Sequence, residues 1–286
     1  MSAPGPIVVA APSAWQRATR SGGLAVGLVL ALAMVAMALA APWLAPDDPN
    51  AQDVLLKLEP PSAAHPFGTD DFGRDVLSRV IYGARISLFV GAIATLAGVL
   101  AGTIIGVVSG YFGGLIDRTI TALTDVLLSF PQLIMGLILV AVLGASLTNL
   151  ILAIAITAVP AFVRVARAST LAMKERDFVD ACRSLGFGDG RIMFMHVLPN
   201  ILDEVVVMGS LWFAAAIRTE STLAFIGLGV PPPTATWGGI IRDGFDNLLD
   251  APWLSIFPSI AILVIMIALN LIGDGLRDAT DPRTPQ

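Results

Sequence analysis

Apolar and polar positions along this chain fall into long blocks. Leu24–Leu44 is an apolar run without a charge; Ile86–Val108, Ile120–Gly144 and Leu147–Val163 follow, then Ile201–Ile217 and Trp253–Ile272. A helix needs about 20 apolar residues to cross a hydrocarbon core of roughly 30 Å, so the pattern predicts six membrane-spanning helices. Asp203 and Glu204 weaken the start of the fifth. The first run has some marks of a secretory signal, with Arg17 and Arg20 before it and Ala38-Leu39-Ala40 resembling a cleavage site. It continues through Pro42, Trp43 and Leu44, which favours a retained helix. The expected fold class is therefore an all-α integral membrane protein.

Within the spans, Gly98, Gly102, Gly106 and Gly110 recur every four residues. Four residues advance a helix by about 400°, so these glycines form one slowly drifting ridge. Such a ridge lets another helix approach backbone to backbone. It serves either tight packing inside the subunit or a surface against a partner or moving gate. Pro131, midway along the third span, predicts a kink. Asp125 is expected to pair with a cation such as Arg118, and Glu220, just past the fifth span, to lie at the interface.

The polar blocks orient the spans. With the N-terminus inside, the inner segments hold Arg17, Arg20, Arg118, Arg164, Arg167, Lys174, Arg176, Arg183, Arg191, Arg277 and Arg283. The outer ones hold Lys57, Arg74, Arg79, Arg85, Arg218 and Arg242, together with most of the carboxylates. That asymmetry obeys the positive-inside rule and returns both termini to the cytoplasm. Tyr82, Tyr111, Trp43 and Trp253 fall near span ends, where interfacial aromatics belong. Three connections exceed a turn: Ala45–Ala84 and Arg218–Pro252 outside, and Arg164–Leu198 inside. The outer ones are read as solvated surface at most individual carboxylates, with Pro231–Gly239 as either a dock for a partner or a guard at the mouth of a pathway.

Composition removes most other classes of function. Only 14% of residues are charged, against roughly 25% in soluble domains. With 17 Lys+Arg against 22 Asp+Glu, no basic surface offers itself to nucleic acid. The two lysines, Lys57 and Lys174, do not follow a glycine, so the chain holds no phosphate loop of the G-x-x-x-x-G-K-[ST] kind. A lone Cys182 forms no internal disulfide, and His65 and His196 lie far apart in sequence. No G-x-S-x-G nucleophile motif occurs. The chain is not expected to be an enzyme, and no cofactor or metal is expected.

The inner connection carries the most information. Phe178, Ala181, Cys182 and Leu185 recur at spacings of three and four, predicting a short helix with one apolar face. Gly186, Gly188 and Gly190 end it. An amphipathic helix of mixed charge on the cytoplasmic side suits a groove on a partner protein better than anionic lipid.

That segment resembles the cytoplasmic loop of the permease subunits of ATP-binding-cassette importers. Their loop reads Glu-Ala-Ala, three residues, Gly, nine residues, then an apolar position, any residue, and Leu-Pro. Here Asp180-Ala181-Cys182 stands for the triplet, Gly186 for the glycine and Leu198-Pro199 for the end, with His196 at the apolar position. Three further stretches are similar to the C-type permease of the dipeptide and oligopeptide branch, a pattern that nickel importers share. They are His65 to Asp75 with Ser78-Arg79 and Tyr82 to Arg85, then Glu220 to Gly229, then Gly273 to Pro282.

The resemblance implies six transmembrane helices with a cytoplasmic coupling helix between helices 4 and 5. It divides the chain into a cytoplasmic tail over 1–22, a first helix and long external loop over 23–84, and a permease core over 85–286. It implies a bacterial cytoplasmic (inner) membrane, a homologous second permease subunit, cytoplasmic ATPase subunits, an external solute-binding protein and a peptide substrate moved by alternating access. Phe178, Ala181 and Leu185 would fill a groove on the ATPase, Gly186 would let the backbone turn there, and Pro199 would separate loop from span so that the two move as a lever. An ion-coupled secondary carrier is the rival reading. Such carriers place ionisable residues at mid-membrane, and no span here carries a charge near its middle.

Overall fold

The computed structural model describes residues 22–280. Arg17, Arg20 and Arg283, and nearly all of the expected tail over 1–22, lie outside the described residues. The first apolar run forms α1 (Gly22–Leu39) and a single turn at Ala41–Leu44. The polar stretch behind it folds into a cap. Thr69 and Asp75 pair as an isolated bridge, and the Asp75 carboxylate accepts from the Ser78 backbone N–H at 2.7 Å. That bond satisfies an otherwise orphaned donor and starts α2 (Val76–Phe112).

With 37 residues, α2 is about 55 Å long, well beyond the thickness of a hydrocarbon core. It ends where Gly113 and Gly114 take φ of 67° and 59°, turning the chain into α3 (Gly114–Leu128). Next come α4 (Gln132–Leu143) and α5 (Leu147–Lys174), the latter capped by Ser146 on the Asn149 N–H. A short α6 (Asp177–Ser184) follows. Beyond it a turn at Asp189–Arg191 and a π-helical stretch, Ile192–Val197, lead directly into α7 (Leu198–Ile226). The chain closes with α8 (Trp237–Phe245) and α9 (Trp253–Thr280).

Among the described residues, five helical stretches are individually long and apolar enough to cross a bilayer: α1, α2, α5, the run from Asp189 to Ile226, and α9. The sixth crossing expected from hydropathy, Ile120–Gly144, is not a kinked helix but two helices, α3 and α4, meeting at 91°. Pro131 has no N–H to continue the ladder, and the Ser129 hydroxyl turns back to the Val126 carbonyl at 2.7 Å. At 15 and 12 residues, neither arm alone reaches the roughly 30 Å of a bilayer core.

The long α2 runs through the centre, packed along α5, while α7 leans on α2 and α9, and α1 covers α9. Apolar clusters stack along this axis. At the cap end Val76, Val80, Ala84, Trp237, Ile240 and Leu254 close together. At the α6 end Val107, Tyr111, Ala166, Val179, Ile192 and Ile201 do the same.

Candidate functional site

The sequence places its most partner-like segment at the α6 end, and the structure divides that segment into two faces. Val179 and Cys182 turn inward onto Val107, Ala166, Met193 and Val197. Phe178, Ala181 and Leu185 point away from the chain, with Leu185 74% exposed. Sequence periodicity had grouped Cys182 with the outer set; instead it is buried against the bundle. Helical spacing gives the reason: residues 178, 181 and 185 share one stripe, and 179 and 182 share the adjacent one. Asp180 is exposed and accepts from Arg183 Nη1 at 2.9 Å.

After α6 the chain reverses at Gly186, whose φ of 77° suits a residue without Cβ. The Gly186 and Phe187 N–H groups bond back to Arg183 and Cys182 carbonyls, closing the helix end. The returning segment is held by side chains. Tyr111 Oη donates to Asp189 Oδ1 at 2.7 Å, while Phe187 stacks on His196 and carries the Arg191 guanidinium 4.1 Å above its ring. Leu198 is half-buried and Pro199 exposed. Pro199 does not separate loop from span as expected. It lies at the start of α7, directly behind the π-helical stretch Ile192–Val197, and the helical run from Asp189 to Ile226 continues through it.

The four-residue glycine ridge faces α5 of the same chain. A Cβ built on Gly98, Gly102, Gly106 or Gly110 would lie 2.5 to 2.9 Å from atoms of Ala158, Phe162, Val159, Val163, Arg167 or Thr170. Beyond the ridge, Asp117 of α3 ties the same two helices together. It accepts from the Ser109 hydroxyl at 2.6 Å and takes both Nε and Nη2 of Arg167. Asp125 pairs at 2.8 Å with Arg164 of α5 rather than with Arg118, because α3 lays that face along α5.

At the cap end three expectations change. Glu220 is fully buried in α7 rather than interfacial. It accepts from the Ser221 hydroxyl at 3.2 Å and has Ser87 and Thr236 as further polar neighbours. The succession Thr219-Glu220-Ser221-Thr222 was a visible sign of a polar cluster inside a helix. The segment Pro231–Gly239 is also split: its prolines are exposed, whereas Trp237 is fully buried and donates from Nε1 to the Val80 carbonyl at 3.0 Å. Trp237 is thus a structural wedge. Among the cap carboxylates, Asp70 and Asp75 are not solvated but buried. Asp75 also meets His65 Nδ1 at 3.0 Å. The nearest grouping of metal-ligand type among the described residues is Asp47, His65 and Asp75, and it serves as a clamp, since Asp75 is already engaged by Ser78 and His65.

The arrangement joins an exposed apolar helix at one end of a long bundle to a folded cap at the other. The family model described as binding-protein-dependent transport system inner membrane component matches residues 102–286. A second model, the N-terminal TM domain of oligopeptide transport permease C, matches residues 13–61. Over 279 residues the chain is 41% identical to a putative peptide transport system permease protein of Brucella suis, covering 97% of this chain and 92% of that one. It is 39% identical to a dipeptide transport system permease protein of Alkalihalophilus pseudofirmus, covering 90% and 85%. It is also 38% identical to a glutathione transport system permease protein of Pectobacterium atrosepticum, covering 94% and 90%.

Proposed function

This chain belongs to the binding-protein-dependent transport system inner membrane components, and on that premise we propose that it forms half of an ATP-driven import pathway for peptides. Its family comprises membrane permeases of ATP-binding-cassette importers, which are not themselves the enzymes of the system. Hydrolysis falls to separate cytoplasmic ATPase subunits. A homologous second permease completes the pathway, and an external solute-binding protein delivers the substrate. The three relatives named above are permeases for peptides, a dipeptide and glutathione, which does not favour the nickel alternative.

The observation that carries the reading is the outward stripe of Phe178, Ala181 and Leu185 on a helix rooted in the bundle by Val179 and Cys182. Three exposed apolar side chains on one short helix fit a groove in a partner. Gly186, Leu198 and Pro199 follow on the path from that helix into α7. The proposed orientation puts α6 and both termini in the cytoplasm of a bacterial inner membrane and the cap outside, with the α3–α4 pair counted as one crossing. Residues 1–22, 23–84 and 85–286 are then tail, first helix with external cap, and permease core. Moving a gate from 1:99 to 99:1 takes about 5.5 kcal/mol of differential binding, a load that two permeases gripping two ATPases would share.

Reconstitution tests this. Proteoliposomes holding both permeases and the ATPases, supplied with the binding protein, are expected to take up peptide only when ATP is inside with the ATPases and this chain is present. Uptake that persists without the ATPases, driven by an ion gradient, would replace the reading with that of a secondary carrier.

A further inference from the structure

A cavity of about 340 Å³ opens at the cap end, between the cap, the segment after α7 and the start of α8. Arg74, Arg79 and Arg242 line it, with Phe72 and the Pro231–Pro233 run as apolar walls. The lining holds these three guanidinium groups against one carboxylate, Asp243; with Asp70, buried behind Arg74 and Arg79, the cluster carries one excess positive charge.

The carboxylates differ in how far they are committed. Asp70 is buried; its Oδ2 takes Arg74 Nε at 2.6 Å, and its Oδ1 takes the backbone N–H groups of Phe72 and Arg74. Asp243 is 39% exposed and sits 3.6 Å from Arg74 Nη2 and 3.4 Å from Arg79 Nη2, loose separations for ion pairs. The Arg79 side chain is 4% exposed, and its Nε has no hydrogen-bond partner, with Asp70 Oδ2 3.4 Å away. Arg242 forms no ion pair within 4.0 Å among the described residues. Its guanidinium lies against Gly227, where a Cβ would come within 2.6 Å of Nη1; that glycine, at φ 95°, makes room for the cation in the cavity wall.

We propose that this cavity binds the C-terminal carboxylate of a peptide at the outer mouth of the permease. Guanidinium groups present paired donors that match a carboxylate's two oxygens, and apolar walls strengthen the attraction by excluding water. The volume accommodates the terminal residue or two of a peptide and leaves the rest in the mouth. Asp243 then acts as a resident competitor that the incoming carboxylate displaces. Burial raises its pKa against the opposing pull of Arg79 and Arg74, consistent with a carboxylate held there at a cost. The inference rests on the peptide-permease reading above.

The test compares uptake of one short peptide with a free C-terminal carboxylate and the same peptide amidated, by the full reconstituted importer. The binding protein is common to every arm, so its own preference cancels when ratios are compared between variants. In the unaltered complex the free acid should be favoured over the amide. Arg242→Gln, at an exposed position, should lower that ratio about tenfold, the worth of one charge-assisted hydrogen bond. Arg242→Lys should restore much of it. Asp243→Asn, which removes the competitor, should raise it. An unchanged ratio in Arg242→Gln with normal complex assembly would overturn the proposal. So would an equal fall for both peptides, which would assign the cavity to an acidic side chain of the binding protein. Absence of any ATP-dependent peptide uptake by the unaltered complex would overturn the permease reading and the subsite with it.

Discussion

Tyr111 Oη donates to Asp189 Oδ1 at 2.7 Å, tying the end of α2 to the turn through which α6 leads into α7. The bond joins residues 78 positions apart in sequence. Together with the glycine ridge between α2 and α5, it joins that turn to both helices.

Tyr111→Phe should weaken this linkage while keeping the ring in its apolar cluster. A hydrogen bond to a charged group contributes about 1.5–3 kcal/mol, enough to shift a two-state gate by about tenfold or more. The expected outcome is peptide uptake reduced severalfold per ATP hydrolysed, with ATPase assembly on the complex unchanged. Identical stoichiometry in the variant would show that α2 takes no part in coupling.

Two glycine substitutions should fail in opposite ways. Gly102→Leu puts a side chain where even a Cβ would come within 2.5 Å of Phe162; forcing α2 from α5 costs about 1–3 kcal/mol or more. It should lower the thermal stability of the detergent-solubilised chain. A Cβ on Gly186 would meet no atom within 4 Å, but Gly186→Leu must hold a left-handed backbone, which costs about 1–2 kcal/mol at an exposed turn. The variant should insert normally, and the complex carrying it should hydrolyse ATP without matching uptake. Fully coupled transport by Gly186→Leu would contradict a role for this turn in coupling.

The two faces of α6 give a second contrast. Leu185→Asp should leave the bundle's melting temperature nearly unchanged yet weaken co-purification of the ATPases. Val179→Asp places a charge in a fully buried site and should unfold the α6 end, at a cost of several kcal/mol. Cys182, 8% exposed, should react with a maleimide slowly in the folded chain and rapidly after denaturation. Fast labelling of the native chain would place it on the outer face instead.

Asp243 predicts a pH effect of definite sign. Burial raises its folded pKa, with Arg79 and Arg74 pulling the other way. Between the unfolded and folded pKa values the folded chain binds more protons, so its contribution to stability falls as pH rises through that window and stays level above it. Asp243→Asn should remove this component of the slope when thermal unfolding is followed from acid to neutral pH. A steeper fall with rising pH in the variant would reverse the assignment.

Hydropathy located the helices because lipid is a demanding solvent and spans must be apolar along their length. Pro131 marks the position of the break in the sequence, but a hydropathy window over Ile120–Gly144 scores the two arms together and carries no angle, so the full 91° turn is not legible there. Distance from an apolar centre places Glu220 at the interface, yet α7 carries it beside Ser221, Ser87 of α2 and Thr236, which supply the polar surroundings lipid would deny it. Cys182 was misassigned for a finer reason. Stripes at 178–181–185 and 179–182 are adjacent on one short helix, and only the bundle behind it decides which of them is inside. The glycine ridge was legible as a ridge, but its partner, α5, is a tertiary fact. Asp70 and Asp75 look like solvent-facing charge in a sequence rich in carboxylates; what buries them is the folding of the cap onto Arg74 and the start of α2.

The unbroken helical run from Asp189 to Ile226, 38 residues in length, amounts to a beam of roughly 55 Å. Moved as one body, such a beam tilts rather than bends. Tilting about the contacts with α2 and α9 sends the two ends in opposite directions, as on a see-saw. A stroke of a few ångströms at Asp189 would therefore arrive near Glu220 and Gly227 with its sense reversed, so that a single motion would narrow one mouth as it widens the other.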